Sequence, residues 1–303
     1  MIDSKEKPKI IARIKGGLGN QLFAYAAARR LAIVNNAELV LDDVTGFSRD
    51  FRYKRQYMLD HFCIPISTAT PSERLEPFER YRRRLIKWTS SRKTFAQRPY
   101  LEQEGIDFDR RLLDLKVSKT LYLDGLWQSE DYFKDVEQII RKDLEIIPPV
   151  DAENLQMADK IASCNAVALH VRWFEDANSV GVHNLSIEYY HKAIALIEQK
   201  VDSPHYFLFS DNPAAASKKL NLLGQNVTFV SHNLGDRNAY ADLWLMSQCQ
   251  HFITANSTFS WWAAWLSSNP SKVITTPLCL ANTEITAWNF DGLIPASWYT
   301  IES

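Results

Sequence analysis

The chain has 303 residues, 46% of them apolar and 12% aromatic, and a formal net charge of −1. That length is generous for one core and suits two domains of about 100 to 200 residues each. The composition excludes a disordered or fibrous chain, and the charge excludes a global attraction to nucleic acid or anionic membrane, so partners must be read from local features.

The N-terminal MIDSKEKPKIIARIKGG carries charges and only a short, interrupted apolar run. It reads as neither a signal peptide nor a spanning helix, so a cytoplasmic protein is expected, peripheral at the inner membrane at most. Cys63, Cys164, Cys249 and Cys279 are far apart and form no CxxC pair. They are expected to be buried reduced thiols rather than a disulfide frame or a zinc site.

KIIARI predicts a strand, KGGLGN breaks it, and Phe23, Ala27, Leu31 and Val34 then recur at helical spacing. ELVLD at 38–42 predicts the next strand. The Arg- and aromatic-rich region 45–118 reads as an insertion or cap with short helices, and order returns at the strand TLYLDGLWQS. SEDYFKDVEQIIRKDL predicts a helix, after which Pro148 and Pro149 mark a boundary between domains 1–149 and 150–303.

Beyond the boundary the pattern alternates. Strands are predicted at 166–172, 205–210, 226–231, 251–255 and 272–276, and helices at 186–201, 212–223, 239–249 and 257–268. Such alternation predicts an α/β fold with mostly parallel, doubly wound sheets, whose ligands bind at the carboxyl ends of the strands.

Each strand end therefore becomes a candidate. In GGLGNQL, Gly17-x-Gly19-x-x-Leu22 lacks the third glycine of a dinucleotide fingerprint, but the turn still lets backbone N–H groups approach a ligand, with Asn20 as cap or contact. Asn256, Ser257 and Thr258 open a helix directly after a strand, where capping accounts for one such residue but not three, and phosphate binding suits the rest. Trp261, Trp262 and Trp265 on that helix are expected in the core. Asp211 either caps the helix beginning Asn212-Pro213 or accepts two N–H donors from guanine.

The densest cluster is AVALHVRWFEDA at 166–177. Arg172 offers a planar fork of donors suited to a diphosphate, and His170 lies two residues back on the same strand face. Glu175 and Asp176 supply carboxylates able to orient or deprotonate a hydroxyl. Asp107-Phe108-Asp109 is formally a metal-binding DxD, but it precedes helical RRLLDL and is better explained by capping. The basic run ERYRRRLIKWTSSRK reads ordinarily as a solvated helix face, while Leu85 and Trp88 within it also suit anionic lipid or a charged acceptor.

Taken together and in order, GGLGNQLFAYAAARRLA, GLWQSEDYF, ALHVRWFEDA, YFLFSDNP and ADLWLMSQCQHFITANSTFSWWAAWL resemble the glycosyltransferase family 11 α-1,2-fucosyltransferases over nearly the whole chain. The resemblance implies a GT-B architecture of two facing Rossmann-like domains, with GDP-β-L-fucose held mainly by the second. It implies inverting transfer, without a cofactor or an obligatory metal, to the 2-hydroxyl of a galactose-terminated glycan such as a lactose-like or lipid-linked oligosaccharide.

Carried over by motif, Arg172 would grip the β-phosphate, His170 would lie against the nucleotide and Asp211 would read guanine. Asn256 and the run Ser257, Thr258, Phe259 and Ser260 would hold the phosphates, and Asn20 with the Gly17-Leu18 loop would approach the fucosyl group. Where the family usually has His-x-Arg-Arg-Gly-Asp, this chain has His170-Val171-Arg172-Trp173-Phe174-Glu175. A tryptophan cannot replace a guanidinium, but Trp173 and Phe174 could form a stacking wall that alters acceptor choice. Two alternatives stand beside this reading: a GDP-sugar transferase of different acceptor linkage, and a catalytically silent sugar-nucleotide-binding protein.

Overall fold

The computed structural model describes residues 7–51, 53–172, 184–221, 226–278, 288 and 290–302. The chain forms two compact units, one comprising Met1–Glu145 with Asp291–Leu293, the other Ile146–Phe290 with Ile294–Ser303. The return of 291–293 to the first unit is invisible in sequence. It is fixed by Phe108 N donating to Asp291 O at 3.0 Å and Asp291 N to Asp107 Oδ1 at 3.0 Å.

The first unit contains β1 (Lys9–Arg13), α1 (Leu18–Val34), β2 (Glu38–Asp42), β3 (Ser67–Thr68), α2 (Glu79–Ser90), β4 (Tyr100–Glu102), β5 (Thr120–Asp124) and α3 (Glu137–Asp143). Its strands form one parallel sheet in the order β3-β2-β1-β5-β4. The central helix α1 is Ala-rich and apolar nearly all round, so most of it is buried.

Two sequence expectations change here. Segment 45–118, read as an insertion or cap, contributes edge strands β3 and β4 to the sheet itself, although they are too short to show a period of two. The single helix expected over 129–144 is instead two 3₁₀ turns, Glu130–Tyr132 and Lys134–Val136, followed by α3. Adjacent Tyr132 and Phe133 are both fully buried, which successive positions about 100° apart on a regular helix do not favour. The chain breaks at Phe133, with φ −144° and ψ 2°.

The second unit contains α4 (Ala152–Ala162), β6 (Ala166–Val171), α5 (Ile187–Lys200), β7 (His205–Ser210), α6 (Pro213–Leu220), β8 (Val227–Val230), α7 (Ala239–Gln248), β9 (His251–Ile253), α8 (Thr258–Leu266), β10 (Ile274–Leu278) and β11 (Tyr299–Glu302). Its six-stranded parallel sheet has the order β11-β10-β9-β6-β7-β8. Every residue of β6 is buried, as a central parallel strand covered on both faces requires. The edge strand β11 was not expected, because its exposed residues show no apolar pattern.

Trp261, Trp262 and Trp265 are in the core with Trp298, their rings meeting at 5.1 to 6.4 Å. Cys249 is buried, Cys164 half-buried and Cys63 exposed, so burial holds for only part of the cysteine expectation; the described three are free thiols. Cys279 lies outside the described residues. Two Rossmann-like parallel sheets with helical crossovers are the GT-B architecture.

Candidate active site

In the second sheet the chain runs from β6 outward through β7 and β8, then crosses back to β9 on the other side of β6. The strand order therefore reverses between β6 and β9, and the crevice at their carboxyl ends is where a doubly wound sheet takes its ligand. His170 and Arg172 come from the end of β6; residues 254–258 follow β9 and lead into α8.

His170 is buried and packs its ring 5.7 Å from that of Phe259, joining the end of β6 to the first turn of α8. Burial, with a further contribution from the Arg172 charge, lowers the imidazole pKa to about 3. The ring is thus neutral at physiological pH, and its buried Nδ1 has no hydrogen-bond partner among the described residues. A neutral imidazole beside a diphosphate offers one hydrogen bond without adding charge.

Ser257 caps α8, its Oγ accepting from Phe259 N at 3.3 Å. Ser260 is fully buried: its Oγ accepts from Ala255 N at 3.1 Å and donates to Ser257 O at 3.3 Å. Its hydroxyl staples the β9–α8 loop. Asn256, Thr258 and Phe259 are half-buried at the positive end of the α8 dipole.

Arg172 and Asp211 leave neighbouring strands in register, Val171 pairing with Ser210, and their side chains meet at 3.5 Å. Asn212, not Asp211, caps α6: its Oδ1 accepts from Ala215 N at 3.1 Å, with Pro213 beginning the helix. The Asp211 carboxylate pairs with the guanidinium of Arg172 instead of capping the helix. Glu175 and Asp176, with Trp173 and Phe174, lie outside the described residues.

The first sheet reverses order between β1 and β5, and the glycine turn follows β1. Gly16 adopts φ +78°, the left-handed region that favours glycine, while a Cβ at Gly17 would lie 1.8 Å from Arg55 Nη1, the mobile end of a side chain that can move aside. The Leu18 side chain is buried, so only its backbone can face a ligand. Asn20 Oδ1 accepts from Gln128 Nε2 at 2.8 Å. Gln21 pins the loop, donating to Gly16 O and Gln56 O at 3.0 and 2.8 Å and accepting from Met58 N at 3.0 Å.

Sequence reading missed two groups. At the carboxyl edge of the first sheet, buried Asp124 accepts from Lys15 Nζ at 2.7 Å, Arg13 Nη1 at 3.2 Å and the Tyr100 hydroxyl at 2.6 Å. Burial alone would raise its pKa, but the Lys15 and Arg13 charges outweigh it and hold the carboxyl well below the usual range. In the second unit, Asp242 on α7 accepts from Asn233 Nδ2 at 2.9 Å, within a network that includes Asn154 and His232. Burial pushes this carboxyl up to about 7, partly offset by the Asn233 hydrogen bond. Asp242 falls within the quoted run ADLWLMSQCQHFITANSTFSWWAAWL, but nothing in that run marks its burial, and Asp124 gains its partners only when Lys15, Arg13 and Tyr100 approach from distant segments.

Asp109 caps the turn Arg110–Leu112 and pairs with Arg111, while Asp107 holds the Asp291 backbone, so both carboxylates of the DxD have structural partners. Among the described residues no group of three or more His, Cys, Asp or Glu side chains is placed to hold a metal ion. No described helix is long and apolar enough to cross a membrane.

The family model for Glycosyl transferase family 11 matches residues 9–298. An alpha-1,2-colitosyltransferase from Escherichia coli is 27% identical over 86% of this chain and 88% of its own length. The O-antigen biosynthesis glycosyltransferase WbnK from Escherichia coli is 29% identical over 87% of this chain and 92% of its own. Among solved structures, a mutant of Arabidopsis thaliana FUT1 in complex with GDP superposes with a TM-score of 0.55 at 12% identity, covering 93% of this chain and 73% of that one. The glycine turn, the strand-end arginine and the Asn-Ser-Thr helix start all fall within the matched span, and the chain belongs to glycosyl transferase family 11.

Proposed function

We propose that this glycosyltransferase moves L-fucose from GDP-β-L-fucose, with inversion, to the 2-hydroxyl of a terminal galactoside in oligosaccharide or surface polysaccharide synthesis. The observation that carries the reading is the placement of Arg172 at the end of β6, beside the β6/β9 reversal and the N-terminus of α8. As the glycosidic bond breaks, charge develops on the departing diphosphate, where a fixed guanidinium and the positive end of a helix dipole stabilise it. These cationic and dipolar groups provide a metal-free means of meeting that charge, and turnover is expected to persist in EDTA. Family membership and two relatives named as glycosyltransferases support the reading.

Within this reading Asp211 acts through Arg172. Guanine and the β-phosphate lie at opposite ends of GDP, so two side chains in contact do not hold both ends at once. His170, neutral and with an Nδ1 that no described residue engages, is a contact for the nucleotide. The second unit is the donor side and the first, through the Gly17-Leu18 turn and Asn20, the acceptor side. Glu175 or Asp176 serves as the base for the acceptor hydroxyl.

A second reading rests on the colitosyltransferase relative: the sugar transferred is colitose, L-fucose without its 3-hydroxyl. Release of GDP from GDP-fucose and GDP-colitose, each with lactose as acceptor, separates the two, and linkage analysis of the product tests the 2-hydroxyl. Arg172→Ala, still folded, is expected to lose at least ~10²-fold in turnover. Near-normal turnover of that variant would remove the diphosphate role, and absence of GDP release with every galactoside would remove the transferase reading.

A further inference from the structure

Helix α2 has its polar and apolar faces reversed. A surface helix normally turns its apolar stripe to the core and its charges to water. In α2 the inward side is polar: Arg83 donates to Thr45 Oγ1 at 2.7 Å and pairs with Asp42 at 3.5 Å, and Lys87 reaches Glu102 at 2.6 Å and Asp124 at 3.4 Å. One turn on, buried Ser90 accepts from Tyr100 N at 3.3 Å. The side turned away from the sheet carries Tyr81, Leu85 and Trp88, with Phe78 immediately before the helix, exposed by 68, 61, 53 and 71%.

The spacing of 81, 85 and 88 puts these three side chains in one stripe roughly 60° wide at 100° per residue, opposite Arg83 and Lys87, and Phe78, at φ 67° just before the helix, stands exposed at its N-terminal end. Arg80 and Arg84, both exposed, border one side of the stripe and Arg82 the other. Arg92 lies over the Trp88 ring at 3.5 Å. Between Arg80 and Lys93 there are seven cationic residues and no acidic one.

We propose that α2 is an interfacial anchor that lays its Phe78-Tyr81-Leu85-Trp88 stripe into an anionic lipid surface. Charge complementarity selects this occupant. An apolar stripe rimmed by arginines places aromatic rings at headgroup depth, while the arginine stems extend along it and their guanidinium groups meet lipid phosphates. The ion pairs of Arg83 and Lys87 hold the helix by its polar side, so the apolar stripe is presented without unfolding or rotation. The inference goes beyond the proposed transfer reaction and does not rest on it.

The test is co-sedimentation of the full chain with vesicles of phosphatidylglycerol and phosphatidylcholine, and of phosphatidylcholine alone, at low and high salt. Binding to the anionic vesicles is expected to be at least ~10-fold tighter than to the neutral ones and to weaken with salt. The pairs Leu85→Glu with Trp88→Glu, and Arg80→Glu with Arg84→Glu, each lie on the exposed side. Each should weaken it by at least ~10-fold while leaving the circular dichroism spectrum and melting temperature unchanged. Equal binding to both vesicles, or variants that bind like the wild type, would overturn the proposal. So would a concentration-dependent dimer in sedimentation that the Leu85/Trp88 variant dissolves, since that assigns the stripe to a second copy of the chain.

Discussion

Replacing Asp211 by asparagine keeps the side chain's size and removes its charge, which weakens the contact at 3.5 Å with Arg172. At that separation Coulomb's law gives about 1 kcal/mol in a water-like dielectric and about 5 kcal/mol at an effective dielectric of 20. Both side chains are about one-third exposed, at 35 and 33%, so screening and side-chain entropy bring the net value for stability to about 1 kcal/mol or less. The variant should therefore stay folded.

Its effect on turnover is larger if the carboxylate aims the guanidinium. A charge-assisted hydrogen bond contributes about 1.5 to 3 kcal/mol, and 1.36 kcal/mol is a factor of ten, so a misdirected Arg172 forfeits roughly 10- to 150-fold. The assay is turnover at saturating donor, with calorimetric titration of GDP and inosine diphosphate, for wild type, Asp211→Asn, Arg172→Ala and the double variant. The expectation is a ~10-fold or greater fall in turnover, equal weakening of the two nucleotides, and no further loss when Asp211→Asn is added to Arg172→Ala. Inosine lacks the 2-amino group of guanine. Selective loss of GDP binding would refute this reasoning and make Asp211 the reader of the base, and unchanged turnover would leave the pair without a role.

Asp242 gives a pH prediction. Its carboxyl ionises near 3.8 in the unfolded chain but at about 7 in the folded one, so between these values only the unfolded state has released the proton. Stability therefore falls as pH rises through this window, and the penalty is fully present above about 7. The ceiling is about 4 kcal/mol, which solvent access to the half-buried side chain reduces to about 1 to 2 kcal/mol. Asp242→Asn is expected to raise the melting temperature at pH 8 and leave it unchanged at pH 4; an equal shift at both would contradict the assignment. Asp124→Ala leaves Lys15 and Arg13 without their buried counter-charge and should destabilise the first unit by about 3 to 5 kcal/mol in denaturant unfolding. A loss below about 1 kcal/mol would show that water or another carboxylate takes its place.

The helix-period apolar residues of α1, the continuous apolar run of β6 and the strand–helix alternation after Pro149 were legible because burial on both faces imposes composition on local sequence. The two-residue β3 and the exposed β11 were not, since edge strands take their definition from the neighbour they pair with. Residues 129–144 read as one helix because charges and apolar side chains recur at helical spacing there; only the joint burial of Tyr132 and Phe133 breaks it.

The candidate site divides in the same way. The sequence by itself determined the chemistry available at each strand end: the glycine turn before α1, the histidine and arginine closing β6, and the hydroxyl-rich start of α8, because a strand–turn–helix junction is a local object. Only the tertiary structure decided how those groups are used. It committed Ser260 to its own loop, gave the α6 cap to Asn212 and paired Asp211 with Arg172. It also turned the apolar side of α2 outward by tying Arg83 and Lys87 to Asp42 and Asp124. Hydrogen bonds within a loop, as for Ser260 and Asn212, and ion pairs between segments tens of residues apart, as for Arg83, Lys87 and Arg172, leave no period or motif in the sequence, and they set how each group is used.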